Sequence, residues 1–77
     1  MTKPTRITNS IRALRFAQGE MTQAELAQRI GVTRQTIIAI EQGRYSPSLE
    51  IAFQIAGVFK VSLDEVFQYP DEETGAR

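Results

Sequence analysis

The sequence predicts an all-α domain built from five short helices. Apolar residues recur at spacings of three and four along much of the chain, which is the period of a helix rather than of a strand. Capping residues precede several of these stretches, and glycines follow three of them. The length of 77 residues suits a single hydrophobic core.

The first helix is predicted over residues 8–18. Thr8 or Asn9 can cap it, and Gly19 can end it. Apolar residues three positions apart within it face the core, which places Arg15 near the edge of the core. Arg12 is either a solvated or a phosphate-facing residue, and the sequence does not separate the two.

Residues 22–43 predict two helices joined at a glycine. Thr22 and Glu25 form a T-x-x-E capping box, so a helix starts at about Gln23. Gly31 follows the last apolar residue and can take the left-handed conformation that ends a helix. Two helices joined by three or four residues cannot stay coaxial, so the pair forms a helix-turn-helix.

The second helix of this pair is predicted from its cap, Thr33, to about Gln42, and Gly43 ends it. Ile37 and Ile40 are three positions apart and face inward. An outward face that begins with arginine and glutamine suits hydrogen bonding to the edges of bases. The residues of that outward face are Arg34, Gln35, Ile38, Ala39 and Gln42.

Two more helices are predicted in the C-terminal half. Ser46 or Ser48 caps the fourth, which we expect to be mostly core, and Lys60 stands at its end. Ser62 and Glu65 form a second capping box, which starts the fifth. The apolar residues assigned to the two helices are Leu49, Ala52, Phe53, Ile55, Ala56, Phe59, Leu63, Val66 and Phe67.

The charges are segregated along the chain although the formal net charge is zero. Residues 1–44 hold seven basic and three acidic side chains, a net +4, and residues 45–77 hold two basic and six acidic side chains, a net −4. This polarity either orients the first half toward a polyanion or is a chance asymmetry of a solvated surface. Its coincidence with the helix-turn-helix favours the first interpretation.

The chain resembles the phage-repressor-like family of helix-turn-helix regulators, also called the XRE or Cro/C1 family. Four motifs occur in order and at family spacing: T-Q-x-E-L-A, I-G-V-T-R-Q-T-I, E-x-G and P-S-L-E. The resemblance extends over about residues 9–68. It implies a compact lambda-repressor-like DNA-binding domain, with the helix-turn-helix formed by helices 2 and 3, and double-stranded DNA as the partner.

The resemblance also implies roles for individual residues. An arginine of the first helix pairs with the glutamate that closes the recognition helix, and the matching residues are Arg15 and Glu41. Between the first helix and the T-Q pair this chain has one residue more than is usual in the family. The residues expected to contact the DNA backbone are Gln23, Thr33, Thr36, Arg44 and Tyr45.

Three residues of the recognition helix are predicted to read bases. Arg34 can bind guanine O6 and N7 bidentately, or else contact phosphate or water. Gln35 can pair with adenine N6 and N7, or else be an ordinary polar helix residue. Ile38 either contacts a thymine methyl group or forms a partly buried flank against the fourth helix.

We expect a homodimer, because one such domain contacts too little DNA for strong specificity and relatives place two recognition helices about 34 Å apart. The aromatic residues assigned to the dimer interface are Phe53, Phe67 and Tyr69, with core packing as the rival explanation. Phe59 is better explained by the core. The predicted function is a sequence-specific transcriptional regulator, a repressor on an inverted repeat.

An antitoxin or protein-interaction module with the same fold is the alternative function. An enzyme is not expected, because the chain has no histidine and no cysteine and no glycine-rich phosphate loop. Neither a cofactor, a catalytic site, a metal site nor a small-molecule effector is predicted.

The predicted domain organisation is a flexible N-terminal arm over residues 1–7, a DNA-binding domain over 8–69 and a disordered acidic tail over 70–77. No apolar run approaches the roughly 18 residues that span a bilayer, so no membrane contact is expected. The N-terminal residues lack the apolar core of a signal peptide, and the lack of cysteine suits a reducing compartment. The predicted location is therefore cytoplasmic.

Overall fold

The structure, a computed structural model, describes residues 5–44 and 46–70. Tyr45, residues 1–4 of the predicted arm and residues 71–77 of the predicted tail lie outside the described residues. The five predicted helices are confirmed, and two short strands accompany them. In chain order the elements are β1 (Thr8–Asn9), α1 (Ile11–Ala17), α2 (Gln23–Ile30), α3 (Arg34–Glu41), α4 (Leu49–Phe59), α5 (Leu63–Val66) and β2 (Phe67–Gln68).

The helix-turn-helix of α2 and α3 has the predicted starts and caps at Thr22, Gly31 and Thr33, and α3 ends at Glu41 with Gln42 as its C-cap, one residue earlier than predicted. The Thr22 hydroxyl accepts the amide of Glu25 at 3.0 Å, and the Glu25 carboxylate accepts the amide of Thr22 at 2.8 Å. Gly31 ends α2 at φ +77°, a left-handed conformation that glycine adopts without steric cost. Thr33 then caps α3 by accepting the amide of Thr36 at 3.2 Å.

All five helices contribute side chains to one core. Burial of a large aliphatic or aromatic side chain stabilises the fold by about 1.5–3 kcal/mol, so the large core side chains that are almost fully buried contribute much of the stability. Val32, in the turn between α2 and α3, is half-buried and packs on this core. The buried core residues are Ile11, Met21, Leu26, Ala27, Ile30, Ile37, Ile40, Ile55, Ala56, Phe59 and Val66.

The predicted start of α1 at residue 8 is wrong. Thr8 pairs with Gln68 and Asn9 with Phe67 in an antiparallel register, so these residues are extended rather than helical. α1 begins only at Ile11, although the Asn9 side chain still accepts the amide of that residue at 3.1 Å. Local capping preferences could not show this pairing, because its partners are 60 residues apart.

The pairing also shortens α5 at its C-terminal end. Phe67, which the sequence assigned to the fifth helix, is the first residue of β2. Its amide still bonds the carbonyl of Leu63, as the cap of α5. The amide of Ser10 bonds the carbonyl of Val66 at 2.9 Å. The two ends of the domain are therefore joined beside α5.

The turn between α1 and α2 contains two consecutive left-handed positions. Gly19 has φ +78° and Glu20 has φ +62°. Met21 follows them and is buried in the core, at 5 % exposure. The turn thus ends with an apolar side chain that is part of the core.

The helix α4 is less buried than the sequence predicted. Ser48, rather than Ser46, caps it by accepting the amide of Ile51 at 3.1 Å. Leu49 and Phe53 are exposed, at 67 % and 56 %, so the expectation of a mostly buried helix is wrong for these two residues. They lie four residues, about one turn, apart and therefore on the same side of the helix. Within the described residues, no helix is long and apolar enough to span a bilayer.

Replacing Lys60 by glycine should stabilise the domain. Lys60 caps the C-terminus of α4 at φ +59°, and a left-handed conformation costs a residue with a Cβ atom roughly 1–2 kcal/mol. Lys60→Gly should therefore raise the free energy of unfolding by about 1 kcal/mol, measured by urea denaturation. Lys60→Ala is the control, since it removes the same charge and keeps the Cβ atom. Equal stabilisation by both variants would contradict the assigned backbone strain.

Candidate nucleic-acid interface

The structure brings Arg15 of α1 and Glu41 of α3 into a bidentate ion pair. Arg15 Nε donates to Glu41 Oε2 at 2.7 Å, and Nη2 donates to Oε1 at 3.2 Å. Arg15 Nη1 also donates to the carbonyl of Met21 at 2.8 Å. Arg15 is only 7 % exposed, so its charge is held inside the protein by a carboxylate and a carbonyl group.

Gln23 joins this ion pair from the first position of α2. Its Nε2 donates to Glu41 Oε1 at 3.1 Å. The carboxylate of Glu41 therefore connects α1, the start of α2 and the end of α3. A side chain expected to hold phosphate is thus oriented by the residue that closes the recognition helix, while the second hydrogen on Nε2 is available to another acceptor.

The first residues of α3 face solvent. Arg34 and Gln35 are both exposed. The hydroxyl groups of Thr33 and Thr36 lie 3.1 Å apart in a hydrogen bond, so Thr36 bonds back to its own cap. The start of α3 therefore presents an arginine and a glutamine to solvent, on a turn whose cap hydrogen bonds are formed within the helix itself.

Ile38 occupies an intermediate position on α3. It is half-buried, but it is not among the half-buried apolar side chains that pack on the core. Its apolar surface is consequently available at the side of the helix that begins with Arg34. The flanking role against α4 and the contact with a thymine methyl group both stay as sequence-based interpretations.

Arg44 lies in the loop after α3 and is exposed. Its amide donates to the carbonyl of Ala39 at 2.9 Å, which anchors the loop to the end of the recognition helix. Tyr45, the other loop residue expected to contact DNA, lies outside the described residues.

A concave groove runs between α1, the start of α2 and α3. It is lined by both members of the ion pair and by two of the residues that the sequence assigned to DNA contact, Gln23 and Arg34. Arg12 and Phe16 of α1 also line it. The sequence left Arg12 as either a solvated or a phosphate-facing residue and assigned no DNA contact to Phe16. The lining residues are Asn9, Arg12, Arg15, Phe16, Glu20, Met21, Thr22, Gln23, Ala24, Arg34, Glu41 and Gln42.

Asn9 supports the end of the recognition helix, a role that sequence reasoning missed. Its Nδ2 donates to the carbonyl of Ile40 at 3.1 Å and lies 3.4 Å from that of Glu41. The amide of Thr5 donates to the carbonyl of Gly43 at 3.2 Å. Residues 5–9 therefore have defined contacts with the end of α3, although residues 5–7 were assigned to the flexible arm. An asparagine before a helix carries no signal for such a long-range contact.

A second surface lies at the C-terminal half of the domain. Of the residues predicted for a dimer interface, Phe53 and Tyr69 are exposed, whereas Phe67 is half-buried and packs on the core. Phe59 is fully in the core. We call this surface the apolar patch and define it as Ile7, Leu49, Phe53, Leu63, Phe67 and Tyr69. Apart from Phe53, these residues line two neighbouring shallow depressions that share Ile7, Leu63 and Phe67. Phe53 is included because it is exposed and lies one turn after Leu49, on the same side of α4.

Breaking the ion pair should destabilise the fold strongly. Arg15→Met leaves the Glu41 carboxylate without its partner, and loss of one member of a buried pair costs about 3–5 kcal/mol. Urea denaturation measures the loss. The double variant Arg15→Met/Glu41→Met should lose less than the sum of the two single variants, because neither charge is then left unpaired. Additive losses would show that the two side chains are not coupled.

Comparison with known proteins supports one family. The chain is 55 % identical over 53 residues to an uncharacterized HTH-type transcriptional regulator of Methanocaldococcus jannaschii, covering 69 % of this chain and 80 % of that protein. It is 47 % identical over 57 residues to another from Archaeoglobus fulgidus, covering 74 % and 80 %. The crystal structure of the hypothetical transcription factor NHTF from Neisseria superposes with a TM-score of 0.68 at 25 % identity, covering 87 % of this chain and 76 % of that one.

A sequence model of the helix-turn-helix family matches residues 11–66. The matched region includes all five helices and both members of the buried ion pair. The chain therefore belongs to the helix-turn-helix family of the Cro/C1, or XRE, type.

Proposed function

We propose that this protein is a transcriptional regulator that binds a specific double-stranded DNA site as a homodimer and represses from an inverted repeat in the cytoplasm. The observation that carries the proposal is the start of α3. Arg34 and Gln35 are exposed there, on a helix whose far end is held by the buried ion pair. Two side chains that can each bind one base bidentately are thus carried on a rigid support.

Backbone contacts from the same face would set the register of α3 in the major groove. Gln23 stands at the first position of α2, where free amides and the helix dipole attract phosphate. Arg44 follows α3 and is exposed. Thr33 and Thr36 present hydroxyl groups at the start of α3. These residues flank the base-reading positions, as phosphate contacts do in this architecture.

The apolar patch supports the homodimer. Phe53 and Tyr69 leave most of their surface in solvent, at 56 % and 62 % exposure, and a protein that stays monomeric seldom leaves large apolar groups clustered in water. None of the patch residues lines the groove beside α3. A second copy can therefore cover the patch while both recognition helices stay open to DNA.

Replacing both base-reading residues should relax sequence preference and leave the fold intact. Arg34→Ala/Gln35→Ala removes two exposed side chains, and each bidentate pair is worth about 1–3 kcal/mol of discrimination. Selection from a random duplex pool at defined salt measures the preference and the spacing of half-sites. Gln28→Ala/Arg29→Ala is the matched control, since it removes the same two side-chain types from exposed positions of α2. If the Arg34/Gln35 variant selects the same sequences as the parent, the base-reading assignment fails.

A charge placed on the apolar patch should produce monomers. Phe53→Glu puts a carboxylate at the patch without disturbing the core, because this side chain is exposed. Sedimentation equilibrium at tens of micromolar should show a dimer for the parent and a monomer for this variant. Phe16→Glu, at an equally exposed phenylalanine of α1, should remain dimeric. A monomeric parent with and without DNA would contradict the homodimer, and a stable complex with a different protein in its place would favour the antitoxin alternative.

A further inference from the structure

Phe16 is an exposed aromatic residue that neither the core nor the apolar patch explains. It leaves 56 % of its surface in solvent and lies on α1, away from the C-terminal half. Its ring instead lies beneath two guanidinium groups. The Cζ atom of Arg12 is 5.6 Å from the ring centroid and that of Arg15 is 6.0 Å away, both within the distance at which a cation is attracted to an aromatic face.

The two arginines beside this ring have different surroundings. Arg15 is buried and its donors are committed to Glu41 and to the carbonyl of Met21. Arg12 is exposed, and its recorded side-chain contact within the described residues is the Phe16 ring. Because a ring face accepts no directed hydrogen bond from the rim of the guanidinium, the five N–H donors of Arg12 stay available to an acceptor in solvent.

The position of Arg12 indicates which acceptor it meets. It lines the same groove as Gln23 and Arg34. The groove also holds Glu20 and Glu41, but the Glu41 charge is paired with Arg15, which leaves two free arginines against one exposed glutamate. An anion bound at the start of α2 or beside Arg34 therefore lies in the same positively charged groove as Arg12.

We propose that Arg12, held over the ring of Phe16, is a binding site for a phosphate of the DNA backbone. The site rests on the proposed DNA binding and adds to it a contact from α1, outside the helix-turn-helix. A guanidinium matches the geometry of a phosphate through two parallel hydrogen bonds. The cation–π contact with Phe16 restricts the arginine before DNA arrives, so less side-chain entropy is lost on binding. The contact is to the backbone and therefore carries no base preference.

Salt dependence separates this phosphate contact from a merely solvated charge. Arg12→Gln should weaken binding equally to the duplex selected from the random pool and to a mixed-sequence duplex of the same length. It should also reduce the slope of log K against log salt by about 0.9 for each bound chain. Arg29→Gln is the matched control, because Arg29 is exposed on α2 and does not line the groove. Fluorescence anisotropy over a salt series measures all three proteins.

A second variant tests the role of the ring. Phe16→Leu keeps the charge of Arg12 and an apolar side chain, so the salt slope should stay at the parent value. Affinity should fall about two- to fivefold, the equivalent of an exposed cation–π contact. Thermal unfolding of each variant shows whether the fold is retained.

Three outcomes would overturn parts of this inference. Equal changes in slope for Arg12→Gln and Arg29→Gln would overturn the phosphate site while leaving DNA binding in place. Parent-like affinity for Phe16→Leu would overturn the role of the ring. A parent protein that binds neither duplex would overturn the proposed function, and the phosphate site with it.

Discussion

The buried pair of Arg15 and Glu41 is the interaction on which the arrangement of the domain depends. It joins the first helix to the end of the recognition helix, and it also orients the side chain at the start of α2. Removing two charges from water costs several kcal/mol, and this cost is offset only when the geometry is good and the remaining donors are satisfied. Here the guanidinium bonds both carboxylate oxygens and a backbone carbonyl. The pair therefore defines one relative placement of three helices.

That placement matters because a chain of this size has a small free energy of unfolding. At about 0.05–0.15 kcal/mol per residue, the loss of one partner from the pair is comparable with a large part of the total. The strands β1 and β2 add a second connection between distant parts of the chain, next to α5. Residues 5–9 contact both the end of α3 and the C-terminal strand. The ion pair of Arg15 and Glu41 thus connects the recognition helix to α1. Hydrogen bonds from Thr5 and Asn9 hold the C-terminal end of the same helix.

The surface divides into two regions of different chemistry. The groove beside α3 contains arginines from α1 and α3, whereas the apolar patch lies on α4, α5 and the two terminal segments. The formal net charge is zero because the basic side chains of the first half of the chain and the acidic side chains of the second half cancel. The groove and the depressions of the apolar patch share no lining residue. Arg12 and Phe16 extend the basic region onto α1, outside the helix-turn-helix of α2 and α3.

The sequence by itself determined the elements whose signals are local. The capping box at Thr22, the glycine at Gly31 and the cap at Thr33 each act within a few residues, so both ends of α2 and the start of α3 could be placed where they are observed. The exposed arginine and glutamine at the start of α3 followed from helical periodicity. The resemblance to a family added the pairing of Arg15 with Glu41, which no local pattern shows.

Only the tertiary structure decided what depends on contacts between distant residues. Thr8 and Asn9 are extended because Gln68 and Phe67 pair with them, not because of their own preferences. Leu49, Phe53 and Phe16 are exposed although apolar residues usually pack inside, since burial depends on which faces of neighbouring helices meet. Helical periodicity assigns a residue to a face, whereas the packing of the whole chain decides whether that face is covered.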